Sequence, residues 1–200
     1  MKVFVGITGA SGTIYGVRLA EELLKLGHSV ALCFSKAGKL VASEEIGIPL
    51  SEFFHDELIQ KFFSHVNTDL LKIFNDYELN SQLASGSSTI DACVVCPCSV
   101  SSLSHIAYGT ARNLIHRCAD VSLKEKKKLV LVVRETPLSL IHIKAMYEAA
   151  SAGAVILPAS PGFYGNPKTL DDIINFVVGK VLAVLGLKSD LTTRYRKEDF

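Results

Sequence analysis

The sequence predicts an α/β fold: a single three-layer, doubly wound domain with a mostly parallel sheet. Three observations carry that expectation. Short β-branched apolar runs at 3–7, 28–34, 91–97, 129–133 and 153–157 alternate with stretches of helical apolar spacing. Most runs end in small or polar residues that open the next helical stretch, the pattern of strand-to-helix turns at one edge of a parallel sheet. The chain of 200 residues is long enough for one full core and shows no repeat, linker or low-complexity segment. The domain is expected over residues 1–186, with a polar tail at 187–200 ordered only by contact.

Val3-Phe4-Val5-Gly6-Ile7 runs into Thr8-Gly9-Ala10-Ser11-Gly12, and helical spacing starts at Thr13. Such a turn suits a phosphate, because the unpaired N–H groups and the dipole of a helix N-terminus both favour an anion. Gly9 and Gly12 permit positive φ and close backbone approach, and Ser11 adds a hydroxyl. Residues 13–26 read as an amphipathic helix through Ile14, Val17, Leu19, Leu23, Leu24 and Leu26, stopped by Gly27. The strand at 28–34 ends in Ser35-Lys36. A dinucleotide site sets Asp or Glu near this point to hold a ribose diol. That absence, and a first turn that is not G-x-G-x-x-G, argue against NAD and for a phosphate monoester such as FMN.

Residues 36–46 continue as a helix carrying Glu44 and Glu45. The weak periodicity of 50–83 predicts helical or irregular excursions over the sheet edge or a neighbouring subunit. His55 and His65 lie there without an evident partner and read as solvated or structural. Ala84-Ser85-Gly86-Ser87-Ser88 is a second small-residue loop. The strand at 91–97 then delivers Pro97-Cys98-Ser99-Val100-Ser101-Ser102, hydroxyls and fresh helix N–H groups, to the sheet edge where α/β ligands sit. A helix at 99–108 leads to the stretch Ala111 to Asp120, followed by a solvated charge run from Lys124 to Lys128. The strand at 129–133 ends in Arg134-Glu135, and an arginine there calls for an anion or solvent. A helix at 139–151 precedes the strand at 153–157 and a loop carrying Phe163 and Tyr164. The last helix, 169–186, turns Ile173, Ile174, Val177, Val181 and Leu185 inward, with Lys180 near its middle.

Composition removes several function classes. A net charge of +1 makes no electrostatic case for nucleic acid or a membrane surface. No apolar run has the length of a membrane span, and the first residues read as a strand, so cytoplasmic residence is expected. A mean hydropathy of +0.31 points to buried intersubunit surface. Five cysteines, an odd number, argue against a disulfide framework. Cys93 and Cys96 have C-x-x-C spacing but lie in a buried strand, where Cys acts as a small hydrophobe. No His/Cys set completes a zinc site, so no metal is expected.

Taken together, a set of motifs resembles the UbiX-type flavin prenyltransferases over nearly the whole chain. They are Thr8-Gly9-Ala10-Ser11-Gly12, Ser35-Lys36-Ala37, Ala84-Ser85-Gly86-Ser87 and Cys96-Pro97-Cys98-Ser99, then Asn113-Leu114-Ile115 with Arg117. Ala119-Asp120-Val121, Leu123-Lys124-Glu125, Val133-Arg134-Glu135-Thr136-Pro137, Leu157-Pro158-Ala159 and Pro161-Gly162-Phe163-Tyr164 complete the set. The resemblance implies a flavodoxin-like or Rossmann-like homododecamer with active sites between subunits. It implies that reduced FMN and dimethylallyl monophosphate are joined into prenylated FMN, the cofactor of UbiD-type decarboxylases in ubiquinone or aromatic acid metabolism. FMN contacts then fall on Gly9, Ala10, Ser11, Ser35, Ser99, Val100, Ser101, Ser102 and Arg134. The prenyl phosphate falls on Tyr164 and Lys180, with Arg117, Lys124 and Glu135 joining around the interface. Glu45 matches a carboxylate near the reacting flavin, so Ser11, Glu45, Lys124 and Glu135 are the implied catalytic set. An aromatic found in some members before the Ala-Ser-Gly loop has no clear match; Tyr77 and Leu79 stand nearby.

The implied chemistry suits these residue types. Breaking an allylic C–O bond to phosphate needs cations and hydrogen bonds on the departing oxygens. Closing the new ring releases a proton, for which a glutamate or the phosphate can serve as base. A monophosphate lacks the second phosphate that usually calls for Mg²⁺, and no acidic pair suited to magnesium is evident, so a metal-independent enzyme is expected. Two rivals remain. An FMN-dependent cysteine-type decarboxylase would carry a catalytic His in the first helical region, where this chain has Tyr15-Gly16. A non-catalytic FMN carrier would bind flavin regardless of dimethylallyl phosphate.

Overall fold

Successive residues of a strand face opposite ways, and in β1 (Lys2–Ile7) Val3, Val5 and Ile7 enter one buried cluster while Phe4 enters the other. The computed structural model describes residues 1–191 except Ser81 and Ser87. Five further strands join β1: β2 (Ser29–Phe34), β3 (Leu71–Asn75), β4 (Ala92–Cys98), β5 (Lys128–Val133) and β6 (Val155–Ile156). The order is β3-β2-β1-β4-β5-β6, and every pairing is parallel. Helices α1 (Thr13–Lys25), α2 (Lys36–Ile46), α3 (Phe54–Phe62) and α7 (Leu170–Leu185) cover one face. Helices α4 (Val100–Ala107), α5 (Leu114–Lys124) and α6 (Leu140–Ser151) cover the other. This is the Rossmann order, and the chain reverses direction across the sheet between β1 and β4.

Two elements depart from the sequence reading. The segment 50–83, expected to hold helical or irregular excursions, contains the helix α3 but also the edge strand β3. Only Phe74 of β3 is buried, so an edge strand with one anchor shows little periodicity. The stretch expected to lead from Ala111 to Asp120 winds into α5, capped by the Asn113 side chain accepting from the His116 N–H. Its apolar stripe, Leu114, Ile115, Cys118, Ala119 and Val121, is buried but interrupted in sequence by His116 and Arg117. The 192–200 part of the tail and Ser87 of the second small-residue loop lie outside the described residues. Among the described residues, no helix is long and apolar enough to cross a membrane.

The first turn is seated by two glycines. Gly12, the α1 N-cap, has φ 102°, a left-handed conformation that disfavours any side chain. A Cβ on Gly16 would collide with the Cys96 carbonyl oxygen and stand 2.7 Å from Ile7 Cγ1. Helix α1 therefore lies flush on the tips of β1 and β4. Gly16→Ala is expected to cost about 1–3 kcal/mol through overpacking, lowering the thermal midpoint by roughly 2–4 °C per kcal/mol. An unchanged midpoint on thermal unfolding would mean that α1 does not rest against β4.

Candidate functional site

The carboxyl edge of the sheet is laced strand to strand. Ser35 N–H donates to Ile7 O at 2.9 Å, Thr8 N–H to Pro97 O at 3.2 Å, and Arg134 N–H to Cys98 O at 3.2 Å. The buried Thr8 hydroxyl adds two bonds across the reversal point: it donates to Pro97 O at 2.8 Å and accepts from Ser99 N–H at 2.8 Å. Ser35, the Thr8–Gly12 turn, Ser99–Ser102 and Arg134 thus form one row in the order β2, β1, β4, β5. Ser35 caps α2, its Oγ accepting from Gly38 N–H at 3.0 Å. Ser99 caps α4, its Oγ accepting from Ser102 N–H at 3.3 Å.

The first turn differs from the phosphate cradle that its residues suggest. Its helix-start donors already hold an anion, the carboxylate of Glu45. Gly12 N–H reaches Glu45 Oε2 at 3.0 Å and Thr13 N–H reaches it at 2.9 Å. The positive end of the α1 dipole accounts for this, since the last turn of α2 sets Glu45 over it. Partial burial works against the Glu45 charge, but the Ser11 hydroxyl and these N–H groups outweigh it and hold its pKa below the usual range. Unclaimed donors lie instead at the start of α4, where no acceptor among the described residues takes Val100 or Ser101 N–H.

Ser11, Tyr15, Glu45 and Arg134 line a cavity of about 370 Å³. Arg134 and Ala159 also wall a second cavity of about 270 Å³, together with Glu135. Pro158 and Ser160 carry that wall on to a third, of about 460 Å³, where Lys180 and Phe176 lie. These adjoining cavities, which share wall residues, are the candidate crevice: Ser11 and Arg134 line the first, Arg134 the second and Lys180 the third. Neither cation has a carboxylate partner among the described residues. Lys180 Nζ stands 5.5 Å over the Phe176 ring, and Tyr164 meets that ring edge-on at 5.6 Å between centroids. Phe176 was not among the expected site residues. Nor were Thr8 and Tyr15; a buried threonine at a strand tip was the available signal for the first.

Other expected residues lie elsewhere. Arg117 donates through Nε to Ala84 O at 3.1 Å and pairs with Asp120 at 2.6 Å. Lys124 pairs with Glu125 at 3.1 Å beside Gly86, at the end of α5 where the chain enters β5. That is the amino edge of the sheet, so one chain does not bring Lys124 to the crevice. Tyr77 and Leu79 are exposed beyond β3. His65, for which no partner was evident, bonds Glu21 at 2.8 Å, an acid from another element that local spacing does not reveal. All five cysteines are buried and unpaired, and burial pushes the Cys98 and Cys118 thiols up to about 12. No group of three or more His, Cys, Asp and Glu side chains able to hold a metal occurs among the described residues.

Known proteins share this sequence and fold. The flavoprotein family model matches residues 1–182. The flavin prenyltransferase UbiX of Halalkalibacterium halodurans is 46% identical over 196 residues, covering 97% of this chain and 93% of that protein. The crystal structure of AnUbiX in complex with FMN and dimethylallyl pyrophosphate superposes with a TM-score of 0.86 at 32% identity, covering 99% of this chain and 98% of that one. A dodecameric FMN-dependent UbiX-like decarboxylase from Escherichia coli O157:H7 superposes with a TM-score of 0.85 at 36% identity, covering 98% of this chain and 100% of that one. With its motifs spread along a Rossmann sheet and this identity over nearly its full length, the chain belongs to the UbiX family of flavin prenyltransferases.

Proposed function

We propose that this protein transfers the dimethylallyl group of dimethylallyl monophosphate to reduced FMN, making prenylated FMN for a UbiD-type decarboxylase. The observation that carries this reading is the crevice itself. Support comes from two cations without carboxylate partners among the described residues, Arg134 and Lys180, in adjoining cavities, the first of which also holds the ionised carboxylate Glu45. The kinship with flavin prenyltransferases supports it.

Reduced flavin supplies the nucleophilic nitrogen and, at its benzenoid ring, the carbon that closes the new ring. The chain supplies the rest. Gly9, Ala10, Ser11 and Ser35, with Ser99, Val100, Ser101 and Ser102, present hydroxyls and N–H donors along the carboxyl edge to hold the flavin and its phosphate. Arg134 bridges this row to the prenyl phosphate end. Lys180 and Tyr164, held on Phe176, bind the departing phosphate and stabilise its growing negative charge. The aromatic and apolar walls exclude water from an allylic cation. Alkylation releases the flavin N–H proton to the departing phosphate, which can return it to the prenyl double bond as the ring closes. Ser11 orients Glu45, ionised at neutral pH, to take the proton that the flavin ring carbon loses. A monophosphate can be matched by side-chain cations alone, so the reaction is proposed to need no divalent metal.

Lys124, Arg117 and Glu135 complete the phosphate site when copies assemble. The exposed face of α6 favours such packing, with Leu140 66%, Ile141 71% and Tyr147 69% exposed. A dodecamer like that of the Escherichia coli relative would let a neighbour's amino edge supply Lys124 to this crevice.

Anaerobic mixing of the protein with reduced FMN and dimethylallyl monophosphate in EDTA should yield a flavin heavier by one dimethylallyl unit on mass analysis. An unchanged flavin mass with folded protein would overturn the transferase reading and leave the carrier. Lys180→Ala and Tyr164→Phe should each raise the KM for the prenyl phosphate by about tenfold or more while FMN affinity stays within about twofold. Equal loss of both ligands would show that the site is not divided this way.

A further inference from the structure

The side chain of His116, on α5, is buried beneath the start of α4 and has no place in the chemistry above. Its two ring nitrogens are both engaged. Arg112 N–H donates to Nδ1 at 3.3 Å, so the ring proton sits on Nε2, which donates to Ser102 Oγ at 3.1 Å. The His105 ring lies against it with centroids 4.9 Å apart, and His105 itself is held by Thr110 Oγ1 at 2.9 Å. Burial first, then His105, keep His116 neutral by pushing it down to about 4, against the opposing pull of Asp76. A neutral imidazole with this tautomer is a fixed donor, not an acceptor.

That fixes where the serine protons go. Ser102 Oγ and Ser99 Oγ are 3.3 Å apart and carry two hydroxyl protons. One proton lies between them. The other finds no acceptor among the described residues, and His116 cannot take it because Nε2 already bears a proton. Ser99 Oγ donates to Ser102 Oγ as the chain stands. Turning both hydroxyls so that Ser102 donates to Ser99 moves the spare O–H from buried Ser102 to half-buried Ser99 at the strand tip, where a ligand can accept it. We infer that His116 is a positioning residue that forces the Ser99–Ser102 hydroxyl pair to present one O–H donor to an acceptor atom of the bound flavin. The inference rests on the proposed function, in which this pair meets FMN.

The test pairs two substitutions of similar size. His116→Gln keeps an N–H donor for Ser102, whereas His116→Met does not. FMN affinity is read from the quenching of flavin fluorescence in the wild-type chain, in both variants, in Ser102→Ala and in Ser102→Ala/His116→Met, with thermal midpoints recorded for each. His116→Met should raise the FMN Kd by about tenfold, His116→Gln should stay within about threefold of wild type, and His116→Met should add nothing in the Ser102→Ala background. Gln as weak as Met, Met as tight as wild type, or the same Met penalty with and without Ser102 would overturn the inference. If the wild-type chain fails to take up FMN, the functional reading falls with it. Normal FMN uptake with silent His116 variants removes this inference alone.

Discussion

The Thr8 hydroxyl is the fastening on which the site depends. A doubly wound sheet opens a crevice where its strand order reverses, because helices leave β1 and β4 towards opposite faces. The β1–β4 ladder registers the two strands as far as Gly6 and Val95, and something must still tie the tips beyond it. Thr8 does so from a fully buried position, donating to Pro97 O and accepting from Ser99 N–H. The first bond is buried and the second half-buried, and losing a buried partner leaves an unsatisfied group at a cost of about 1–3 kcal/mol. The lacing continues to Ser35 on one side and to Arg134 on the other, so loops from four strands hold one register.

Charge then divides the edge by function. The strongest anion site of the first turn is filled from within by Glu45, which satisfies α1 and remains ionised in the crevice. The positive side chains of the adjoining cavities, Arg134 and Lys180, have no carboxylate partner among the described residues. This arrangement supports the proposal of an anionic ligand held beside a base. Lys124, at the amino edge, pairs with the adjacent Glu125, and Arg117, earlier in α5, with Asp120 and Ala84 O.

Much of this was legible in the sequence because it is local. The strand tips, their serines and the helix starts all lie within a few residues of one another, and β-branched runs followed by small polar residues mark them. Arg134 could be singled out from its place at the end of an apolar strand. What the pattern hid is long-range. Glu45 reaches the first turn across 33 positions and Thr8 reaches Ser99 across 91, and no periodicity encodes either contact. Strand β3 offers a single buried anchor, and α5 hides its stripe behind His116 and Arg117, so tertiary packing decides both. Motif resemblance supplied Lys180 and Tyr164; Phe176, which joins them, carries no signal beyond an apolar helix position.

The proposed reaction requires that these adjoining cavities receive a flavin and a prenyl phosphate together. The most direct measurement is a crystal structure of the assembled protein with reduced FMN and dimethylallyl monophosphate bound. The flavin is expected along the Ser11–Ser99–Arg134 row, the prenyl phosphate between Arg134 and Lys180, and Lys124 from a second copy on that phosphate. Either ligand seated away from this crevice, or Ser11, Arg134 and Lys180 facing separate spaces once all copies are in place, would contradict it.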